Sequence, residues 1–133
     1  MRAIAMRSAL GLALAFATSH AASALEGAGV LLQGLDKVTA RVTTIEAELD
    51  RAVRFGTLEI TARRCVKRPP EESPESAAFL DIREIRPGEV PHQLFVGWMF
   101  ASSPALSALE HPVYDVWVKD CLNVKSSDDS APR

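Results

Sequence analysis

The sequence lacks most of what marks a catalytic or nucleic-acid-binding chain. It has two cysteines, Cys65 and Cys121, in 133 residues, and no C-x-x-C pair, so the usual dithiol redox pattern is absent. Of three histidines, His20 falls in an N-terminal apolar segment, while His92 and His111 each adjoin a proline. Neither belongs to an H-x-x-x-H or H-E-x-x-H spacing that would place two ligands on one helical face. Cys65, Cys121, His92 and His111 have the right chemistry for zinc but not its paired spacing. No G-x-S-x-G turn exposes a nucleophile, and Ser102 and Ser103 stand before a proline instead. Asp115 and Asp120 fall on opposite faces of one strand by parity, and Asp36 and Asp81 are isolated, so no acid/base pair forms. There is no internal repeat and no excess of positive charge: 15 Lys and Arg stand against 17 Asp and Glu, which argues against nucleic acid as a partner. We expect no catalytic residue, no metal and no cofactor.

A long apolar run occurs only at the start. Arg2 and Arg7 form a basic region, Leu10 to Ala17 an apolar stretch, and Ala22-Ser23-Ala24 a small-x-small cleavage pattern. Thr18, Ser19 and His20 interrupt the run too early for a bilayer span of about 20 apolar residues. The expected reading is a signal peptide over 1–24, cut after Ala24, leaving no integral membrane span and a periplasmic product. The cut removes two arginines and no acid, taking the net charge from −2 to −4. In an oxidising compartment, Cys65 and Cys121 are expected to form a structural disulfide, with free thiols or metal and redox duty as the alternatives.

Taken in order, residues 25–34 (LEGAGVLLQG) read as a lead-in, mobile or docked. Lys37 to Ile45 alternates, with Val38, Ala40 and Val42 on the expected buried side. Leu58, Ile60 and Ala62 share one face of a later strand, and Gly56 splits the run before it. Lys67 to Pro74 carries three prolines and four charges and is an exposed loop. Ala77 to Ile85 is a strand, followed by a turn around Pro87-Gly88. The densest apolar segment is Gly97 to Cys121, holding both tryptophans and the only tyrosine. It reads as the end of one strand, a short helix and a last strand. Ser103 is the expected N-cap and Pro104 the first helical residue. Leu106 and Leu109 share a face, and Pro112 ends the helix.

This order predicts an all-β fold: a small single-domain barrel over residues 35–122, SH3-like in preference to OB-like, with one short helix before the last strand. Residues 123–133 are expected to be a disordered tail.

Two features point to binding. Arg63, Arg64, Lys67 and Arg68 form a basic run beside Pro69-Pro70 that could dock an acidic partner; otherwise it is a solvated strand end. Among Phe95, Trp98, Phe100, Tyr114 and Trp117, parity places Trp98 and Phe100 with Leu94 and Val96. Parity also puts Trp117 with Asp115 and Lys119, which makes Trp117 the candidate exposed anchor for a protein partner. The other reading has Trp117 covering the disulfide or the helix. A groove near His111, Tyr114 and Asp115 is the alternative site, for a small ligand, an envelope polymer or a weak hydrolytic activity.

The segments GLDKVTARV, FGTLEITARRCVKRPPEE, AAFLDI and GWMFASSPALSALEHPVYDVWVKDC, spread from Gly34 to Cys121, resemble the DUF2155 domain family. The resemblance implies a small exported alphaproteobacterial protein and carries over no catalytic residue. It also implies a gene encoded near that of a small accessory subunit of respiratory complex I, so an accessory subunit associated with that complex is an alternative expectation. The functional expectation is a non-enzymatic exported protein-binding module, an accessory or assembly factor of an envelope or inner-membrane complex.

Overall fold

Turn chemistry sets the first hairpin. The computed structural model describes residues 23–125, and the expected signal segment up to residue 22 and the tail beyond Lys125 lie outside the described residues. After the two-residue β1 (Leu25–Glu26), β2 runs Gly29–Asp36. Asp36 ends it by accepting through Oδ1 from the N–H groups of Val38 (2.9 Å) and Thr39 (3.2 Å). Ala40 at φ 55 turns the chain back into β3 (Arg41–Glu48). The second hairpin joins β4 (Ala52–Phe55) to β5 (Leu58–Lys67) through Gly56 at φ 56. A side chain there would be strained, and its Cβ would lie 2.3 Å from the Tyr114 ring. After the proline-rich loop come β6 (Ser76–Glu84) and β7 (His92–Phe100), then a single 3-10 turn (Pro104–Leu106) and β8 (Tyr114–Leu122).

All strand pairings are antiparallel, and they make two sheets. One has the order β1-β5-β6-β7, with β4 also on β5; the other has the order β3-β2-β8. The fold is therefore all-β and a small single domain, but its strands divide between two sheets and do not close into the expected barrel. Between the sheets lies one core that includes Val30, Leu32, Ile45, Leu58, Ile60, Leu80, Ile82, Met99, Val116 and Val118. Each fully buried aliphatic chain of this kind is worth roughly 1.5–3 kcal/mol.

Several sequence expectations are corrected. The lead-in 25–34 is no appendage: it forms β1 and most of β2, the central strand of its sheet, with Val30 and Leu32 fully buried. Val38 is in the hairpin turn and Val42 is half exposed, while Ile45 and Ala47 point inward, so the buried face of β3 is the opposite of the expected one. The Asx turn at Asp36 pushes the strand start to Arg41, and only its far half meets the core. Ser103 makes no side-chain cap, and the helix is one 3-10 turn. Leu109 is buried but Leu106 is 75% exposed, so a single leucine plugs the interior. The tail begins later than residue 123, because Val124 packs on the core and Lys125 N–H donates to Glu26 O at 3.2 Å.

Candidate functional site

Two bulges decide where the cysteines point. On β5, Ala62 pairs with Leu80 and Arg64 with Phe79, so Arg63 is the extra residue. On β8, Val118 pairs with Leu32 and Asp120 with Leu31, so Lys119 is extra. Strict alternation would face Cys65 away from Ala62, and Cys121 away from Val118. Each bulge reverses that parity and turns its cysteine inward. The Cys65–Cys121 disulfide follows, with a Cα–Cα distance of 5.6 Å. It fastens one sheet to the other, and the pairing also takes both thiols out of any zinc site.

Around this clasp the basic run is engaged within the chain. Lys67 Nζ donates to Asp120 Oδ1 at 2.9 Å, and Ser76 Oγ donates to the same oxygen at 3.1 Å. Arg63 pairs with Asp50 at 3.0 Å and Arg64 pairs with Glu26. These partners are side chains of the same fold, so part of the charge of the run is compensated within the chain. Asp120 is drawn below the usual range: burial raises its pKa, but the Lys67 and Ser76 hydrogen bonds and the Cys121 N–H outweigh it. Glu75 is also lowered. Burial opposes the shift, but the hydroxyl and N–H of Ser102 and the Ser76 N–H stabilise the carboxylate. Ser102 is thus a latch for Glu75, with no histidine at its hydroxyl.

His111 is buried rather than groove-lining, with its side chain 4% exposed. Its Nδ1 accepts from the N–H groups of Val113 (3.0 Å) and Tyr114 (3.1 Å), which fixes the proton on Nε2. That Nε2–H donates to Glu84 Oε2 at 2.5 Å. The other oxygen of Glu84 meets Arg86 as an ion pair without hydrogen-bond geometry. Burial raises the Glu84 pKa, yet the His111 hydrogen bond and the Arg86 charge hold it below the ordinary value. The imidazole stacks on Tyr114 at 5.2 Å, and Tyr114 meets Phe55 edge-on. With both ring nitrogens committed, His111 is a structural pin and offers no free base.

Asp115 separates from this pair. It forms an ion pair with Lys37 at 3.0 Å and lines a different feature, an open groove of about 370 Å³ with Pro104, Ala105, Ala108, Leu109, Val116 and Trp117. The 3-10 turn and the chain after it form one wall; the N-terminal half of β8 forms the other. Trp117 is partly exposed there, on the face opposite Val116 and Val118, as alternation expects. The groove is apolar, and its one charged group is already paired. The expected His111–Tyr114–Asp115 groove is thus split, whereas Trp117 lies in a concave surface.

The DUF2155 profile, described as an uncharacterised protein conserved in bacteria, matches residues 30–121. The chain belongs to the DUF2155 family. The matched stretch runs from the first core residue of β2 to Cys121, so the DUF2155 unit takes in the clasp and both sheets apart from β1. An uncharacterised protein of Rickettsia prowazekii, RP359, is similar: 34% identical over 88 residues, which is 66% of this chain and 57% of the relative. The chain therefore matches little more than half the length of that DUF2155 relative. No solved structure matches. Among the described residues of this DUF2155 chain, no helix is long and apolar enough to cross a membrane, and no group of three or more His, Cys, Asp or Glu residues is placed to hold a metal.

The three lowered carboxylates give a pH expectation. Each has a folded pKa below its ordinary value, 4.5 for Glu75 and Glu84 and 3.8 for Asp120. Their contribution is complete above those values and lost as pH falls through the lower folded ones. Thermal unfolding followed by circular dichroism is expected to show no loss from these groups between about pH 5 and 7 and a steady fall below about pH 4.

Proposed function

We propose that this DUF2155 domain is an exported, non-enzymatic binding module that receives apolar side chains of an envelope protein in the Trp117 groove. The observation that carries the reading is the groove itself. At about 370 Å³ it is large enough for anchoring side chains, and its lining is apolar apart from Asp115. A small polar ligand requires several convergent polar groups, and His111 and Tyr114, which would have supplied them, are turned inward. A partly exposed tryptophan beside proline and alanine is the kind of surface on which protein contacts concentrate their energy. The sheet-to-sheet disulfide and the N-terminal signal pattern support a periplasmic address, and an accessory or assembly role in an envelope complex follows from binding without chemistry.

The test is co-purification from the native envelope, wild type against Trp117→Ala. Trp117 is outside the core, so the variant is expected to keep a thermal midpoint within a few degrees, about 1 kcal/mol or less. It is also expected to lose a defined co-purifying protein, by tenfold or more for an anchor residue worth about 2 kcal/mol. Undiminished recovery by the folded variant would remove the groove from the account.

A further inference from the structure

By strand pairing among the described residues, β3, β4, β7 and β8 each have a neighbour strand on one side, and β1 has β5 on one side and a single bridge from Glu26 to Lys125 besides. Unpaired strand edges are templates for another chain, and proteins blunt them with charge, proline or brevity. Four of these edges are blunted. Strand β1 has two residues, β4 has four and carries Arg54, β3 carries Arg41, Glu46 and Glu48, and β8 carries Asp115, Lys119 and Asp120. The exception in composition and length is β7, HQLFVGWMF, which has nine residues and no Asp, Glu, Lys, Arg or Pro, although the 3-10 turn and β8 lie near it.

We propose that β7 is the interface through which two copies of this chain pair edge to edge. From Phe95 to Phe100 the strand matches β6 residue for residue, so its edge is regular beyond the bulge at Leu94. An antiparallel two-fold pairing centred on Gly97 sets Val96 opposite Trp98 of the second copy on the outer face, and Phe95 opposite Met99 on the inner. Val96 is 51% exposed. Trp98 is already part of an outer stripe, edge-on to Phe79 at 5.6 Å with the Arg64 guanidinium 5.8 Å from its ring centre. Pairing carries that stripe across the axis onto Val96 of the second copy.

Charge selects a second β7 as the occupant. Facing itself, the strand meets no charged residue at all, so no like charges oppose across the axis. Facing β3 or β8 of another copy, it would cover Glu46 and Glu48, or Asp115 and Lys119, with apolar side chains. The Arg64 charge beside the stripe is matched by Glu26. The arrangement is isologous and closes as a dimer, without the open-ended growth of a head-to-tail contact.

The test uses the full chain as the cell exports it, by analytical ultracentrifugation and by cross-linking. Wild type is expected to sediment as a dimer at about 100 µM, and Val96→Lys as a monomer with its dissociation constant raised more than about tenfold. Gly97→Cys is expected to form an intermolecular disulfide across the axis. The site has room, because a Cβ there meets Phe95 at an ordinary 3.6 Å. An intact Cys65–Cys121 bond and an unchanged circular dichroism spectrum show that each variant folds. A wild-type monomer at that concentration would overturn the proposal, including the case where β7 takes a strand from a different protein. So would a dimer that survives Val96→Lys while Gly97→Cys fails to cross-link.

Discussion

Replacing Cys65 and Cys121 together by alanine is expected to produce the largest loss of stability of any pair of substitutions outside the aliphatic core. The bond closes a loop with a sequence separation of 56, for which chain entropy gives roughly 4 kcal/mol. That is comparable to removing two well-buried side chains, and a domain of this size has only about 5–15 kcal/mol in all. At about 4–8 °C per kcal/mol, the thermal midpoint falls by roughly 15–30 °C. The position of the bond makes the effect global. It joins β5 to β8, two strands of different sheets that do not pair with each other. Calorimetry of the double variant checks this, and a shift of under about 5 °C would mean that core packing alone holds the sheets together.

The second large effect belongs to His111. His111→Ala removes the buried N–H that faces Glu84 and leaves that carboxylate to Arg86 alone, leaves the Val113 and Tyr114 N–H groups without their His111 acceptor, and unstacks Tyr114. Leaving a buried polar group without its partner costs about 1–3 kcal/mol, more for a charged one, because the group keeps its desolvation cost. His111→Phe preserves the ring and its stacking but satisfies none of the polar groups. It is therefore expected to be nearly as harmful as alanine, which separates hydrogen bonding from packing. The combined His111→Leu and Glu84→Leu change is expected to recover part of the loss, since no buried charge then remains unpaired. Urea denaturation of the four proteins reads these differences directly. A His111→Phe variant as stable as wild type would show that the imidazole is present only as a filler.

What could be read from the sequence, and what could not, divides along physical lines. Alternation in Leu58, Ile60 and Ala62, the Gly56 break, the proline-rich loop and the Pro87-Gly88 turn are local signals, and the structure has each of them, the loop expected over Lys67 to Pro74 starting one residue later because Lys67 ends β5. Both bulges were illegible, because Arg63 and Lys119 differ in no obvious way from neighbours that keep register. Yet these two residues turn the cysteines inward. The burial of β2 was hidden by its glycines: Gly34 resembles linker composition, but a Cβ there would meet the Phe55 ring at 2.7 Å, so the residue admits β4 packing. The inverted face of β3 came from the Asx turn at Asp36, which shortens the strand before alternation begins. Division into two sheets is a long-range property of strand pairing, which strand order alone did not specify. As for the site, the sequence singled out Trp117 by parity and by its company of Asp115 and Lys119. It did not reveal Pro104, Ala105 and Ala108 as the opposing wall, because small residues after a serine pair carry no signal of their own.

The central claim, that the Trp117 groove receives an envelope protein, is tested most directly by photocross-linking in living cells. A photoreactive phenylalanine analogue at Ala108, on the groove wall, is compared with the same group at Val38, which is 78% exposed on the β2–β3 hairpin turn and does not line the groove. The expected result is one defined adduct from position 108, absent from position 38 and absent when Trp117→Ala is combined with the position 108 probe. Equal, diffuse labelling from both positions, or an adduct indifferent to Trp117, would contradict the account.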